Sequence, residues 1–452
     1  MIVMKFGGSS VESATAIDRV AAIVRSRLAR NPVVVVSAMG KTTNRLLAIA
    51  QSAVSGDRAS ALQQLAELKA YTLNEGGPVG GVIETHFHEL AELVQGLAIL
   101  GELTPRSVDA ISAYGERLSS LIVAERFRAN GLDAVQADSR DYVVTDGRHT
   151  QAAPLYPETF ERLQSGLAPI ARQQVVVMGG FIGSTAAGVT TTLGRGGSDF
   201  SASIIGAGLE AEEIQIWTDV DGMLTCDPRI ADIGHRLKAI SFGEAAELAY
   251  FGAKVLHPST VLPAVEKNIP VLILNSRRPE SEGTRIVAET VPCANTFKAI
   301  ACKQGIVSVH IRSTRMLMAH GFLRRIFEVF DRYETPVDMV ATSEISVSLT
   351  IDNPQRIDMI LAELREFAEA SVETDQAIIC MVGDNIGASR GVAGRVFTAM
   401  NGAKIRMISQ GASNLNLSFV VASRDLVSSV TALHREFFTE PDPKVFERRS
   451  AA

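Results

Sequence analysis

The chain has 452 residues, of which 46% are hydrophobic and 21% are charged. This composition is typical of globular proteins, and the length predicts about three units, because one hydrophobic core rarely organises more than about 250 residues. A net charge of −6 offers no basic surface for nucleic acid. No apolar stretch resembles a signal peptide or a spanning helix, so we expect a cytoplasmic protein without membrane contact. The four cysteines lie far apart, which excludes a zinc-finger pattern and a disulfide framework.

Short apolar runs alternate with helical patterns before residue 290. The runs that we interpret as buried strands are Ile2–Phe6, Val33–Val36, Val175–Met178, Ile214–Trp217 and Val271–Leu274. Apolar stripes at helical spacing are formed by Ile17, Val20, Val24 and Leu28, and by Ile111, Tyr114, Leu118, Leu121 and Ile122. Strands that alternate with helices predict an α/β domain with a mainly parallel sheet covered on both faces. Its ligands should bind at the carboxyl ends of the strands.

A second pattern follows the proline-marked segment at Val291–Pro292. A strand, a helix and a strand occur in turn, and the series then occurs again. The first series is Ile306–Ile311, Gly321–Tyr333 and Ile345–Ile351, and the second is Ala377–Val382, Val392–Met400 and Leu415–Val421. We interpret them as two α+β modules of the βαββ type.

The first chemical signal is the stretch Lys5-Phe6-Gly7-Gly8-Ser9-Ser10 at the end of the first strand. Glycines let backbone N–H groups approach a ligand closely, and the start of the following helix favours an anion. Lys5 would add a point charge for phosphate. A plain tight turn with a solvated lysine explains the same residues, and this motif alone does not decide between the two.

The second signal joins Gly179-Gly180-Phe181-Ile182-Gly183 to Gly194-Arg195-Gly196-Gly197-Ser198-Asp199. The later segment places backbone donors, a hydroxyl, a guanidinium and a carboxylate at a helix start. Ser198 or Asp199 could simply cap that helix. The cap leaves Arg195 unexplained, whereas a planar bidentate donor between glycines suits a carboxylate or a phosphate. We therefore favour ligand contact.

The third signal is the segment from Trp217 to Arg229, which contains Asp219, Asp221 and Asp227. The spacing lacks the glutamate that would close a calcium loop. A turn after a strand is the simpler interpretation, and its polar groups could contact a nucleotide's ribose and base.

Taken together, the motifs resemble those of the aspartokinases of the amino acid kinase family. The matching segments are KFGGSS at 5–10, GGFIGSTAAGVTTTLGRGGSD at 179–199, WTDVDGMLTCDPR at 217–229 and FGAKVLHP at 251–258. The segments HGFLRRIF at 320–327, VDMVATSEISVSLT at 337–350 and VGDNIGASRGVAGRVF at 382–397 resemble the two ACT domains of the monofunctional, lysine-sensitive type.

The resemblance implies a three-layer kinase domain over residues 1–292 and two ACT domains, the first inserted in the second. The first ACT domain would cover residues 313–376, and the second residues 293–312 and 377–445. The implied reaction is ATP-dependent phosphorylation of the side-chain carboxylate of L-aspartate, the first step toward lysine, threonine and methionine. ATP would bind with Mg²⁺, whose protein ligands the resemblance leaves unknown.

The resemblance also implies roles for individual residues. The catalytic residues would be Lys5, Arg195 and Asp199. ATP would be bound by Lys5, Phe6, Gly7, Gly8, Thr218, Asp219, Leu224, Arg229, Lys254 and Val255. Aspartate would be bound by Ser37, Thr43, Glu116, Arg195, Gly196, Gly197 and Ser198. Leu224 departs from the tyrosine of many relatives, which puts one nucleotide contact in doubt.

An amino-acid effector, with lysine as the leading candidate, would bind the ACT region of a homodimer or higher homo-oligomer. The residues that the resemblance assigns to this site are Met316, Gly321, Phe322, Leu323, Val337, Asp338, Thr342, Ser343 and Glu344. Ala319 and Pro336 depart from the small hydroxyl residues of lysine-sensitive relatives, so the affinity for lysine could be altered.

The chemistry agrees with these residue types. The side-chain carboxylate of aspartate has a pKa of about 3.9, so the nucleophile is already ionised at neutral pH. The difficulty is that an anion must attack a polyanion, and cations with oriented donors overcome it. Two alternatives are a kinase for glutamate or acetylglutamate, which would not usually combine the double ACT tail with FGAKVLHP, and a non-catalytic amino-acid sensor, which could lose the phosphate-binding residues.

Overall fold

The computed structural model describes residues 1–77, 80–252, 258–313, 320–384, 386–400 and 402–448. The chain divides into two compact units. The first unit comprises Met1–Met223 and Leu256–Glu289, and the second comprises Leu224–Val255 and Thr290–Ala452. Within the described ranges, no helix combines the length and the apolar character needed to cross a membrane.

The strands are β1 (Ile2–Phe6), β2 (Pro32–Val36), β3 (Ala134–Ala137), β4 (Val144–Thr145), β5 (Val175–Gly179), β6 (Ile182–Thr185), β7 (Thr190–Thr192), β8 (Glu213–Thr218), β9 (Arg236–Leu237), β10 (Ala239–Ser241), β11 (Val271–Asn275), β12 (Thr284–Val287), β13 (Ala299–Arg312), β14 (Val340–Thr342), β15 (Ser346–Ile351), β16 (Glu369–Val382), β17 (Met407–Gln410), β18 (Asn416–Ala422) and β19 (Phe446–Glu447). The α-helices are α1 (Ala14–Arg25), α2 (Thr42–Val54), α3 (Arg58–Gly76), α4 (Gly80–Leu100), α5 (Pro105–Ser112), α6 (Tyr114–Ala129), α7 (Ser139–Tyr142), α8 (Tyr156–Arg162), α9 (Ala168–Ala171), α10 (Gly197–Gly208), α11 (Phe242–Tyr250), α12 (Leu262–Glu266), α13 (Phe322–Arg332), α14 (Ile357–Leu364), α15 (Val392–Ala399) and α16 (Leu426–Phe438).

The first unit is built on a mainly parallel sheet. Its strands lie in the order β12, β11, β8, β1, β2, β5 and β3, and only β12 among them runs antiparallel to its neighbour β11. β1, β2 and β5 are buried along their whole length, as expected when both faces of a parallel sheet are covered. The predicted α/β fold and the five predicted strands are therefore confirmed, with bounds that differ by at most one residue at either end.

Amphipathic helices cover this sheet. Ser13 caps α1 by accepting a hydrogen bond from the Ala16 N–H, and the predicted stripe of Ile17 and Val20 packs in the core with the sheet residues. Leu28 was expected on the same stripe, but it lies beyond the end of α1 and is 41% exposed. Helix α1 has already ended at Arg25, and Leu28 begins a short 3-10 turn that leads to Pro32 at the start of β2.

The stripe from Ile111 to Ile122 also differs from the expectation of one helix. Ile111 belongs to α5, while Leu118 and Ile122 belong to α6, and both helices bury these side chains in the same core. The boundary at Ala113 keeps helical dihedral angles, so the periodicity of the stripe persists across it.

The second unit contains an antiparallel sheet in the order β14, β15, β13, β16, β18 and β17. The predicted strands Ile306–Ile311 and Ala377–Val382 are parts of longer ones, because β13 and β16 each have 14 residues and pair along their whole length. The register shifts twice near Ile306, between Gln304 and Ser308.

The two ends of the β13–β16 pair contact two different sets of elements. Beyond the register shifts, β13 pairs with β15 and shares a core with α13 and α14, to which Val309, Ile326 and Ile360 contribute. Before the shifts, β13 pairs with the last residues of β16, which in turn pair with β18. This arrangement supports the proposal that one ACT domain is inserted in the other, while the boundaries at residues 292, 313 and 376 stay predictions.

A fully buried ion pair lies in the second unit. The ammonium of Lys298 is 2.8 Å from Oε1 of Glu244, and the two side chains are 1% and 0% exposed. Glu244 also accepts hydrogen bonds at Oε2 from the backbone and the hydroxyl of Ser241, which complete a capping box at the start of α11. The pair therefore links this helix to the residues that precede β13.

Removing one partner of this pair should destabilise the second unit strongly. Lys298→Ala leaves the Glu244 carboxylate buried without a counter-ion, and we expect a loss of about 3–5 kcal/mol in the free energy of unfolding. Hydrogen exchange of peptides from 242–250, measured at increasing urea concentrations, gives this free energy of unfolding. Arg324→Ala, which removes an exposed ion pair with Glu328, is the control and should change the same exchange little. Equal effects of the two substitutions would contradict this account.

Candidate active site

The carboxyl ends of four neighbouring strands form one edge of the parallel sheet. Lys5 is level with Val35 of β2 and with Ile216 of β8, and Val36 of β2 is level with Gly179 of β5. The loops after these strands begin at Gly7, Ser37, Gly180 and Asp219. Backbone hydrogen bonds join these loops to the ends of neighbouring strands, with Gly7 donating to Trp217 and Ser37 donating to Phe6. The predicted glycine motifs therefore meet at one edge.

Lys5 is held at the start of α10. Its Nζ is 2.7 Å from Oδ1 of Asp199, and the two side chains are only 11% and 19% exposed. Asp199 lies in the first turn of α10, which begins after Gly196 in the left-handed conformation. A lysine ammonium beside the positive end of a helix makes a ready site for an anion. The ion pair confirms that Lys5 is not merely a solvated turn residue.

Two glycines of the motifs are required by close backbone approaches. A Cβ on Gly8 would lie 2.7 Å from the carbonyl oxygen of Ala38, and a Cβ on Gly180 would lie 2.8 Å from Cα of Ser198. Because backbone atoms cannot give way as flexible side chains do, larger residues at either position would push the loops apart. The strand-end loops can therefore pack together only with glycine at these two places.

Glu116 places a buried carboxylate at the same edge. It lies in the first turn of α6 and is 4% exposed. Oε1 accepts a hydrogen bond of 3.1 Å from the Ala38 N–H, and Oε2 has no hydrogen-bond partner in the described part of the chain. Burial raises the pKa of this carboxyl from 4.5 to about 8, although the Ala38 N–H and the charge of Lys5 oppose the rise. A cation brought by a ligand would satisfy Oε2.

Arg195 is exposed and makes no ion pair or hydrogen bond to other described residues. Its neighbours Gly194 and Gly196 both adopt positive φ, at 77° and 73°, so the guanidinium stands on a tight turn between β7 and α10. An arginine presented in this way is available for a carboxylate or a phosphate. Gly197 and Ser198 open α10 directly after this turn.

The predicted hydroxyl residues lie near Glu116. Ser37 directly follows β2, and its carbonyl accepts a hydrogen bond of 2.7 Å from Ser119 of α6. Thr43 lies in the first turn of α2, and its Oγ1 is 3.3 Å from the position that a Cβ on Gly115 would take. The structure thus brings Ser37, Thr43 and Glu116 to the same end of α6, and their roles toward a substrate stay predictions.

The predicted nucleotide residues divide between the units. Thr218 ends β8, and its hydroxyl is 3.3 Å from Oδ1 of the exposed Asp219. Leu224 and Arg229 belong to the second unit, where Arg229 donates from Nε to Asp227 over 3.0 Å. Lys254 and Val255 lie outside the described residues. Contacts of these six residues with ATP therefore stay predictions.

The predicted effector residues occupy two places in the second unit. Gly321 caps α13, which begins with Phe322 and Leu323, while Val337 and Asp338 precede β14 and Thr342 ends it. Ser343 and the exposed Glu344 follow in the turn to β15, where the hydroxyls of Ser343 and Ser346 are 2.6 Å apart. Met316 lies outside the described residues. Their effector role stays a prediction.

A buried hub that sequence patterns did not indicate supports the Arg195 turn. Asp109 of α5 is fully buried and accepts hydrogen bonds from the Thr192 hydroxyl at 2.6 Å and the Thr150 N–H at 3.0 Å. Its Oδ2 is also 2.7 Å from Nδ1 of His149. These partners are 40 to 83 residues away in sequence, so no local motif reveals them. An aspartate on the apolar side of a helical pattern was the one available signal.

The described residues contain no group of three or more histidine, cysteine or acidic side chains placed to hold a metal ion. A magnesium ion that arrives with ATP needs no such cage, because phosphates and water supply most of its ligands. Asp219 and Asp199 are the carboxylates at this edge that could add one.

Comparisons with known proteins agree with this geometry. The profile of the amino acid kinase family matches residues 1–275, and an ACT domain profile matches residues 379–437. Aspartokinase 1, a chloroplastic protein of Arabidopsis thaliana, is 40% identical over 97% of this chain and 80% of its own length. Lysine-sensitive aspartokinase 3 of Escherichia coli is 36% identical over 97% of this chain and 99% of its own length.

Solved structures are similar along the same length. Escherichia coli aspartokinase III in complex with lysine and aspartate matches with a TM-score of 0.84 at 34% identity, over 97% of this chain and 99% of that one. The same enzyme in complex with aspartate and ADP matches with a TM-score of 0.82, also at 34% identity, over 97% of this chain and 100% of that one.

The raised pKa of Glu116 predicts how the stability of the first unit depends on pH. The folded unit keeps a proton that the unfolded chain loses above pH 4.5, so the free energy of unfolding should fall as pH rises from about 5 to 8. Glu116→Gln should lessen this fall, because the amide keeps the shape without the charge. Urea titrations followed by fluorescence of Trp217, the single tryptophan and a buried residue of β8, measure it.

The exposed Glu158→Gln serves as the matched control and should keep the wild-type slope. A Glu116→Gln protein with the wild-type slope would show that the buried carboxyl does not titrate in this range.

Proposed function

Because this chain belongs to the aspartokinases of the amino acid kinase family, we propose that it transfers the γ-phosphoryl group of ATP to the side-chain carboxylate of L-aspartate. The products are 4-phospho-L-aspartate and ADP. The observation that carries this proposal is the arrangement of groups at the strand ends: Lys5 and Arg195 supply cations for anionic groups, and Glu116 supplies a buried carboxyl that an ammonium would ionise and pair with.

The transfer needs no general base. An ionised carboxylate oxygen of aspartate attacks the γ-phosphorus, and the bond to the bridging oxygen of ADP breaks, so that ADP leaves with the electron pair. Catalysis then consists of holding two anions in line and stabilising the charge that spreads over the transferring group. Lys5 performs this second task, and Asp199 keeps its ammonium aimed at the strand edge.

Glu116 selects an amino acid with a free α-ammonium. Its Oε2 lacks a partner in the described structure, and an ammonium placed there converts an unfavourable buried carboxyl into a compensated ion pair. Arg195 is suited to the α-carboxylate at the other end of the substrate. Together with Ser37 and Thr43, these groups orient aspartate by its backbone and leave its side chain toward the phosphate.

ATP binds at the edge formed by the Gly7–Gly8 loop and Thr218–Asp219, beside Lys5. Mg²⁺ that accompanies ATP neutralises part of the phosphate charge, and Asp219 or Asp199 would supply its carboxylate ligand.

The kinase alternatives fit this site less well. Acetylglutamate has no free ammonium to pair with Glu116, so its binding would leave that carboxyl buried and unpaired. Glutamate keeps the ammonium but is one methylene longer, a difference that usually discriminates by about 10–200-fold. The high identity to aspartokinases along most of the chain also argues against a sensor that lacks the reaction.

Release of ADP with aspartate, glutamate and acetylglutamate as separate acceptors tests the function. We expect turnover with aspartate, far weaker turnover with glutamate and none with acetylglutamate. Faster turnover with either alternative, or none with aspartate, would refute the proposal.

Loss of the Lys5 charge should lower turnover while the protein stays folded. For Lys5→Ala we expect a fall in kcat of about 10²–10³-fold, because a preorganised contact to the transferring group is lost. The exposed Lys267→Ala is the control and should retain wild-type kcat. Steady-state kinetics beside circular dichroism measure both. Near-normal kcat in folded Lys5→Ala would remove Lys5 from the mechanism.

Arg195→Ala should act mainly on aspartate. We expect a KM for aspartate raised by about tenfold or more, the cost of a lost charge-assisted contact, while binding of ATP stays near normal. Calorimetry with ATP alone and kinetics with varied aspartate separate the two effects. Loss of ATP binding to the same degree would place Arg195 on the nucleotide side.

The second unit, as we propose, binds an amino-acid effector at a junction between two copies of the chain. The Escherichia coli relative is named lysine-sensitive and has been crystallised with lysine, which makes lysine the first effector to test. Light scattering should give at least a dimer, and titration with lysine, threonine and both should show inhibition led by lysine. A monomer, or a dimer indifferent to each amino acid, would contradict the proposal.

A further inference from the structure

Three charged side chains meet in the second unit. The Nζ of Lys303 is 2.6 Å from Oδ1 of Asp338 and 2.8 Å from Oδ2 of Asp352. The ring of Tyr250 lies beneath the same ammonium, which is 5.6 Å from the ring centroid. Lys303 thus already pairs with Asp338, the acidic residue of the proposed effector site that is suited to a cationic side chain.

The fold fixes this meeting point. Lys303 lies in β13 just before the register shift at Gln304, where Gly305 adopts a φ of 72°. Asp338 precedes β14 and is anchored by its N–H, which donates to the carbonyl of Thr350 over 2.9 Å. Asp352 directly follows β15. Each residue is therefore placed by backbone pairing within one sheet.

Asp338 is the most deeply buried of the three charged residues. Its side chain is 5% exposed, whereas those of Lys303 and Asp352 are 20% and 42% exposed. Burial raises the pKa of the Asp338 carboxyl, and Lys303 opposes that rise. A carboxylate so enclosed has little room for a second ammonium beside the first.

We propose that Lys303 is an internal competitor for Asp338, so that an effector with a cationic side chain binds only by displacing the Lys303 ammonium. This inference rests on the proposed effector site and names the residue that sets its affinity. Displacement is feasible because Asp352 already contacts Lys303 and can keep it paired toward solvent. An amino acid with an uncharged side chain brings no side-chain cation to replace the Lys303 ammonium, so the exchange also selects for a cationic side chain.

Two substitutions with opposite expected effects test the competition. Lys303→Met removes the competitor and should tighten lysine binding by about tenfold or more, since a charge-assisted bond no longer has to be broken. Asp352→Asn removes the partner that keeps the displaced ammonium and should weaken lysine binding. The matched control is Lys404→Met at an exposed lysine of the same unit, which should bind lysine as the wild type does.

Calorimetry with free lysine on the full chain measures affinity directly, and inhibition is referred to each variant's own rate without lysine. Lysine binding that appears or tightens in Lys303→Met supports the inference. Equal or weaker binding, an Asp352→Asn affinity equal to that of wild type, or no binding to wild type and Lys303→Met alike would overturn it. ADP release from aspartate without lysine reports separately on the proposed reaction.

Discussion

The active edge of this protein depends on one ion pair, that of Lys5 with Asp199. Phosphoryl transfer to a carboxylate asks a site to bring two anions together, and a cation fixed beforehand lowers that cost because it does not have to reorient during the reaction. The pair joins the end of β1 to the first turn of α10. The ammonium, the positive end of the helix and the glycine loops consequently lie at the same edge of the sheet, where the side chains of Lys5 and Asp199 are only 11% and 19% exposed.

The parallel sheet explains how residues far apart in sequence reach this edge. Parallel neighbours end at one edge, so the loops after β1, β2, β5 and β8 have to meet. Glu116 is the counterpart of Lys5: it is a buried carboxyl with one oxygen left without a partner in the described structure, and an ammonium beside it would stabilise its ionised form. An amino acid supplies both missing charges at once, an ammonium for Glu116 and a carboxylate for the cations. Substrate binding thereby completes the electrostatics of the site.

Sequence patterns predicted the sheet well, because fully buried parallel strands appear as continuous apolar runs. They also placed Lys5 and Asp199 at a strand end and a helix start. They could not indicate the Asp109 hub or the pairing of Lys303 with Asp338, whose partners are separated by 83 and 35 residues respectively and carry no local motif. The long strands β13 and β16 were recognised only in part, since the register shift near Ile306 interrupts the pattern. Contacts that tertiary pairing creates are the ones that local periodicity cannot show.

Trapping the reaction product with hydroxylamine tests the central claim most directly. An acyl phosphate reacts with hydroxylamine to give a hydroxamate, and its position on the amino acid identifies the carboxylate that was phosphorylated. With ATP and aspartate, the purified chain should yield the side-chain hydroxamate of aspartate in an amount equal to the ADP released. ADP release without any hydroxamate, or a hydroxamate on the α-carboxylate, would contradict the assignment of the side-chain carboxylate as the nucleophile.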